Sequence, residues 1–138
     1  MGTLLGFDFG TRRIGVAVGQ TVTRSARPLC TLHSRNGGVD WPAVSRLLEE
    51  WQPEALVVGL PVHMDGSAHD LTAAARRFGN RLAGRYNLRV FFVDERLSSD
   101  EAERLLAAAG RSGDKAAVDR VAAQLILQAW LDQQPNDI

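Results

Sequence analysis

The chain has 138 residues, 45% hydrophobic and 23% charged, with sixteen cationic side chains balanced by sixteen acidic ones. That length suits one domain with one core, and the neutral total excludes a uniformly basic, tightly binding nucleic-acid protein. The single cysteine, Cys30, excludes an internal disulfide and a cysteine-rich zinc site. The lack of a run of about 18 apolar residues, or of a charged-then-apolar leader, makes a cytoplasmic protein without a membrane span the expectation.

Leu4–Phe9 reads as a short apolar strand interrupted by Gly6 and Asp8, and Ile14–Val18 as a second. Gly10-Thr11-Arg12-Arg13 between them suits a four-residue hairpin connection. Pro28–His33 is a weaker third strand, and Asn36-Gly37-Gly38 breaks the chain. Asp40 is placed to cap a helix opening on Trp41-Pro42, with Val44, Leu47, Leu48 and Trp51 at helical spacing and Pro53 ending it. Ala55–Leu60, apolar throughout, is expected as a strand buried on both faces. A polar loop runs from Pro61 to Asp70. It leads to a helix from about Asp70 to Tyr86, whose stripe is Leu71, Ala74, Ala75, Phe78 and Leu82.

Val90–Val93 is the next buried strand, stopping on Asp94-Glu95-Arg96. Ser98 and Glu101 match a capping box that starts a helix closed by Gly110. The loop from Arg111 to Lys115 precedes a last helix over about Ala116–Gln133. Hairpins followed by strand–helix alternation predict an α/β fold with a mixed sheet and helices on its faces. Right-handed crossovers set the fourth strand beside the first, and sites in open α/β sheets gather at such carboxyl ends.

Charge is unevenly spread. No acid lies between Asp8 and Asp40, where Arg12, Arg13, Arg24, Arg27 and Arg35 fall, and Arg76, Arg77, Arg81 and Arg85 share one predicted helix. Lys115 is the only lysine among the sixteen cations, and arginine is the better fork for phosphate. Any single arginine fits a solvated surface; together they allow a local basic face.

Three acids could meet: Asp8 near the end of the first strand, Asp94 or Glu95 at the end of the last, and Asp119 on one helical stripe with Ala122, Ala123, Ile126 and Trp130. Carboxylates brought together repel and lose hydration, a penalty that a divalent cation removes. All-oxygen ligation favours magnesium or manganese. Two such ions about 4 Å apart can activate water and stabilise a leaving oxygen in phosphodiester hydrolysis. Each acid has a plainer reading. Asp119 could cap the last helix, Glu95 could pair with Arg96 or another surface arginine, and Asp94 and Glu95 face opposite ways if the strand reaches them. Asp8 is hardest to explain away, since Phe7 and Phe9 indicate burial.

The blocks FDFGTRRIGVAV, VVGLPVHMDGS, VDERLSS and KAAVDRVAAQLIL, in this order and at compatible spacing, resemble the YqgF family over essentially the whole chain. That family of RNase H-like proteins is described as Holliday junction resolvases and is implicated in 5′-end processing of pre-16S ribosomal RNA. The resemblance implies one RNase H-like nuclease domain over residues 1–138, with a five-stranded sheet of order 3-2-1-4-5. It implies Asp8, Glu95 and Asp119 as catalytic and metal-holding acids, choosing Glu95 over Asp94. Arg12, Arg13 and Arg96 would sit beside them to position phosphate, with Arg111 and Lys115 as further candidates. The expected partner is then nucleic acid, either pre-16S rRNA on ribosomal particles or branched DNA, and the protein a monomer or homodimer. His63 departs from the asparagine more usual there and reads as a loop surface residue.

Two rival classes remain. The first hairpin also looks like the phosphate-binding hairpin of the actin, Hsp70 and sugar-kinase superfamily, but this chain lacks the second related domain and second Gly-rich hairpin of an ATP-binding phosphotransferase. A non-catalytic RNA-binding module would have no need of buried carboxylates.

Overall fold

The computed structural model describes residues 2–62, 71–95, 104, 107 and 114–134. Its strands are β1 (Thr3–Asp8), β2 (Arg13–Gln20), β3 (Ser25–His33), β4 (Ala55–Pro61) and β5 (Arg89–Glu95). Its three main helices are α1 (Trp41–Trp51), α2 (Thr72–Tyr86) and α3 (Lys115–Asp132). The sheet order is β3-β2-β1-β4-β5, as the hairpin-then-crossover pattern and the family resemblance predict. The β1–β2 and β2–β3 pairs are antiparallel, and β4 runs parallel to both β1 and β5.

Alternation along the strands sorts side chains onto two unlike faces. Leu5, Phe7, Ile14, Val16, Val18, Leu56 and Val58 pack with Val44, Leu47 and Leu48 of α1 and Phe78 and Leu82 of α2. Phe78 is the hub, with ring centroids 5.6 Å from Phe7, 5.2 Å from Phe9 and 5.9 Å from Trp41. The opposite face mixes alanines with branched aliphatic residues. Leu4, Ala17, Ala55 and Val57 meet Ala123, Ile126, Leu127 and Leu131 of α3, which lies close against the sheet.

Local signals explain the helix ends. Asp40 accepts a hydrogen bond from the Ala43 amide (3.2 Å) at the start of α1, whose C-cap Gln52 turns left-handed (φ 46°) just before Pro53. Asn87 closes α2 in the same way (φ 53°). Asp114 caps α3, accepting from the Ala117 amide (3.0 Å). The helix therefore starts one residue earlier than the periodicity suggests, and Asp119 lies inside its second turn rather than at the cap.

β3 is longer than the sequence indicates because its first half is polar and exposed, which hides an edge strand from hydropathy. Pro28 is tolerated there, beside a register shift opposite Val16 and Ala17. The backbone of this edge is answered by α3. Gln128 accepts from the Ala26 amide (3.0 Å) and donates to the Arg24 carbonyl (2.8 Å), while Gln124 donates to the Ala26 carbonyl (3.0 Å). Such side-chain cover blunts an edge that could pair with another chain. Of the helix expected between Ser98 and Gly110, only Arg104 and Ala107 are among the described residues, both helical.

Candidate functional site

Asp8 ends β1 and Glu95 ends β5, with β4 between them. Both side chains point to the α3 face. Asp8 stands opposite Gly15 in the β1–β2 ladder, and a Cβ on Gly15 would come within 1.9 Å of the Asp119 carbonyl oxygen. Glycine at this position is what lets the first turns of α3 rest on β2 next to Asp8. Gly59 does the same for the intervening strand. A Cβ there would lie 2.5 Å from the Ile126 Cδ1 and 3.1 Å from Glu95 Oε2, so its absence lets Glu95 lean over β4. Phe7 and Phe9, which suggested burial of Asp8 from sequence, pack on the other face with Phe78. The surroundings of Asp8 are instead α3 and the two carboxylates.

Asp8 and Glu95 are hydrogen-bonded to one another. Burial pushes the Asp8 carboxyl well above its ordinary range, and the charge of Glu95, the hydrogen bond to it and the charge of Asp119 add to the rise. Glu95 is only 8% exposed, and burial raises it too; the hydrogen bond from Asp8 opposes that rise and Asp119 adds to it. A hydrogen bond between two carboxyls needs a proton on one of them, and the upward direction of both groups favours keeping it. Asp119 contributes its charge to both groups, but its Oδ2 accepts from the Arg13 Nε at 2.6 Å.

The expected trio is thus a touching pair with a third acid turned to an arginine. Among the described residues no three carboxylate, histidine or cysteine side chains are gathered into a ready ion cage. The pair itself suits a hard divalent cation: its donors are all oxygen, and burial disfavours its two negative charges, a cost that a cation offsets. Glu95 is buried beside Asp8 rather than turned to a surface arginine, whereas Asp94 is exposed, as strand alternation requires.

Around the acids, Arg12 is exposed on the turn, Arg13 is half-buried and bound to Asp119, and Lys115 is exposed in the first turn of α3. Arg96, Arg111 and His63 lie outside the described residues. Sequence reasoning passed over His33, which pairs in register with Arg13 at the end of β3 and is exposed. It also passed over Thr31, which donates to the Ala116 carbonyl (2.8 Å) and accepts from Arg120 (3.2 Å), tying the start of α3 to β3. The isolated Gly15 in an otherwise apolar strand was the available signal for a close backbone approach.

A family model described as RuvX, Holliday junction resolvase, matches residues 2–133. A relative from Nitrosococcus oceani is 56% identical, with 95% of this chain and 87% of the relative covered. One from Dechloromonas aromatica is 53% identical, with 96% and 92% covered. Both carry the provisional name pre-16S rRNA nuclease. Among solved structures, T. thermophilus RuvC in complex with a Holliday junction substrate matches at a TM-score of 0.54 and 18% identity, covering 96% of this chain and 98% of that one. The fowlpox virus Holliday junction resolvase matches at a TM-score of 0.57 and 11% identity, covering 94% and 97%. At such identities these two speak for the fold alone, which is RNase H-like.

Proposed function

Because the chain belongs to the RuvX family, the YqgF family of the motif resemblance, we propose that it is an endonuclease that hydrolyses phosphodiester bonds with a divalent cation, magnesium or manganese. Its substrate in this reading is pre-16S ribosomal RNA, as the names of its relatives indicate, cut at the 5′ end as the family resemblance implies. The observation that carries the reading is the buried, hydrogen-bonded Asp8–Glu95 pair at the carboxyl ends of β1 and β5, flanked by Asp119 and Arg13.

Asp8 and Glu95 would hold the cation, with Asp119 as the remaining oxygen donor beside them. A divalent ion bound there supplies activation of water and neutralisation of charge on the scissile phosphate. The chain's own part is to lose the Asp8 proton, to keep both carboxylates fixed on rigid strand ends, and to bring arginine to the phosphate. Arg12 is exposed on the turn, and Arg13 is bound to Asp119 through Nε, with its terminal guanidinium nitrogens the part suited to a phosphate oxygen. These contacts position a backbone without reading its sequence.

A cytoplasmic site of action accords with a ribosomal RNA substrate, and no helix among the described residues is long and apolar enough to cross a membrane. The test is incubation of 5′-extended 16S precursor RNA with the protein and magnesium or manganese, reading the new ends by primer extension. Discrete ion-dependent cleavage that Asp8→Asn and Glu95→Gln abolish is the expected result; unchanged precursor overturns the substrate assignment. Branched DNA is the second reading, favoured by the description of the matched family. It requires two coordinated cuts and hence a symmetric dimer. A four-way junction in the same assay, with the molecular mass measured by light scattering, separates the two.

A further inference from the structure

On the opposite side of the β1–β2 turn from the carboxylates lies a groove of about 110 Å³, walled by Phe9, Ile14, Leu32 and Val39 and rimmed by Arg12 and Arg13. We propose that this groove is a nucleobase pocket, holding one unpaired base of the strand whose backbone crosses the turn to reach Asp8 and Glu95. The inference rests on the nuclease reading for where the scissile phosphate lies; the pocket itself can be tested without cleavage.

Three features favour this occupant. The groove begins at Phe9, the residue after Asp8, so groove and acid pair are continuous through one short turn. Its walls are apolar and partly aromatic, with Phe9 tilted against Phe78 and Phe78 stacked against Trp41, which gives a flat base something firm to lie on. Its rim is cationic, complementary to the phosphates on either side of a base. Its acid, Asp40, is committed to the Ala43 amide at the start of α1. A base inside a duplex cannot enter such a groove, so the ligand is single-stranded.

The groove is also fixed before anything binds. The Ser34 amide donates to the Arg12 carbonyl (2.9 Å), and Arg35 and Gly38 exchange backbone hydrogen bonds of 2.8 and 3.1 Å. Little ordering cost then falls on binding. A Cβ on Gly38, which also lines the groove, would meet no atom within 4 Å, so a larger side chain at that position can occupy the space without displacing backbone.

The experiment measures binding of a short fluorescein-labelled oligoribonucleotide in EDTA, by anisotropy, with an abasic unit moved through each position. One abasic position is expected to weaken wild-type binding about tenfold, the effect of losing one stacked base. Gly38→Phe should weaken the intact oligonucleotide about as much and remove the sensitivity to that position, while Gly38→Ala stays within about twofold of wild type. A flat abasic profile on the wild type overturns the proposal without relying on any variant. So does an unchanged Kd for Gly38→Phe, or a change in its molecular mass, which would make the groove a contact between copies. Failure of the nuclease reading would appear separately, as absent cleavage with ions and intact binding in EDTA.

Discussion

Asp8 and Glu95 are hydrogen-bonded in a buried site, and burial there has a consequence for stability. The Asp8 carboxyl is raised above its unfolded value, so the folded state holds its proton at pH values where the unfolded chain has released it. Stability from this group is complete below the unfolded pKa of about 4 and is lost as pH rises through the raised folded value. In EDTA, urea midpoints of the wild type should therefore fall from pH 5 towards neutrality more steeply than those of Asp8→Asn. Equal slopes would contradict a raised Asp8 carboxyl. At neutral pH without ions, Asp8→Asn should be more stable by about 1–2 kcal/mol, a rise of several degrees in Tm, since asparagine neither takes up a proton nor buries a charge on folding. Manganese should raise the Tm of the wild type and leave that variant unmoved; at a hundred times its Kd the gain is about 2.7 kcal/mol.

At the scale of elements, the site depends on how closely α3 lies on the sheet. Gly15→Ala puts a methyl group 1.9 Å from the Asp119 carbonyl, a backbone atom that cannot turn aside. The helix must shift, at a cost of about 3 kcal/mol or more, and cleavage should fall with the Tm. Retention of both would show that α3 does not rest on β2 there. Phe78→Ala empties the hub of the other face and should cost about 3–5 kcal/mol by urea denaturation. The acid pair stands on the far side of the sheet, so the folded fraction should still cleave, with weaker binding of the RNA because Phe9 loses its support.

The elements and their order were legible because buried strands and caps leave strong local marks: Ala55–Leu60 is apolar throughout, and Asp40 precedes Trp41-Pro42. The first half of β3 was not, because an exposed edge strand has no buried face to set its pattern. The acids were legible as residues but not as an arrangement. Alternation separates Asp94 from Glu95 without saying which faces Asp8, and no local signal says that Arg13 takes Asp119 from across the fold. Asp114 as the true cap of α3 lies in a polar loop where several residues could serve.

At the scale of the whole molecule, the strand order brings residues 8, 95 and 119 to one end of one sheet, although they are far apart in the chain. The face with glycines and alanines at the close approaches admits α3, the face centred on Phe78 carries α1 and α2, and the β1–β2 turn stands between the acids and the apolar groove. A zero net charge over this asymmetric layout predicts weak, salt-sensitive capture of free nucleic acid, steered locally by arginine rather than by the total field. Anisotropy titrations over a range of salt concentrations check this; salt-independent binding would speak against phosphate contacts.

The most direct measurement is cleavage of 5′-extended 16S precursor RNA by the wild type, Asp8→Asn and Glu95→Gln, each verified as folded, with manganese and with EDTA. Cleavage confined to the wild type with manganese, and reduced at least about a hundredfold in either variant, is the predicted result. Equal cleavage by wild type and Asp8→Asn, or cleavage undiminished in EDTA, would contradict a carboxylate-held cation as the source of the activity.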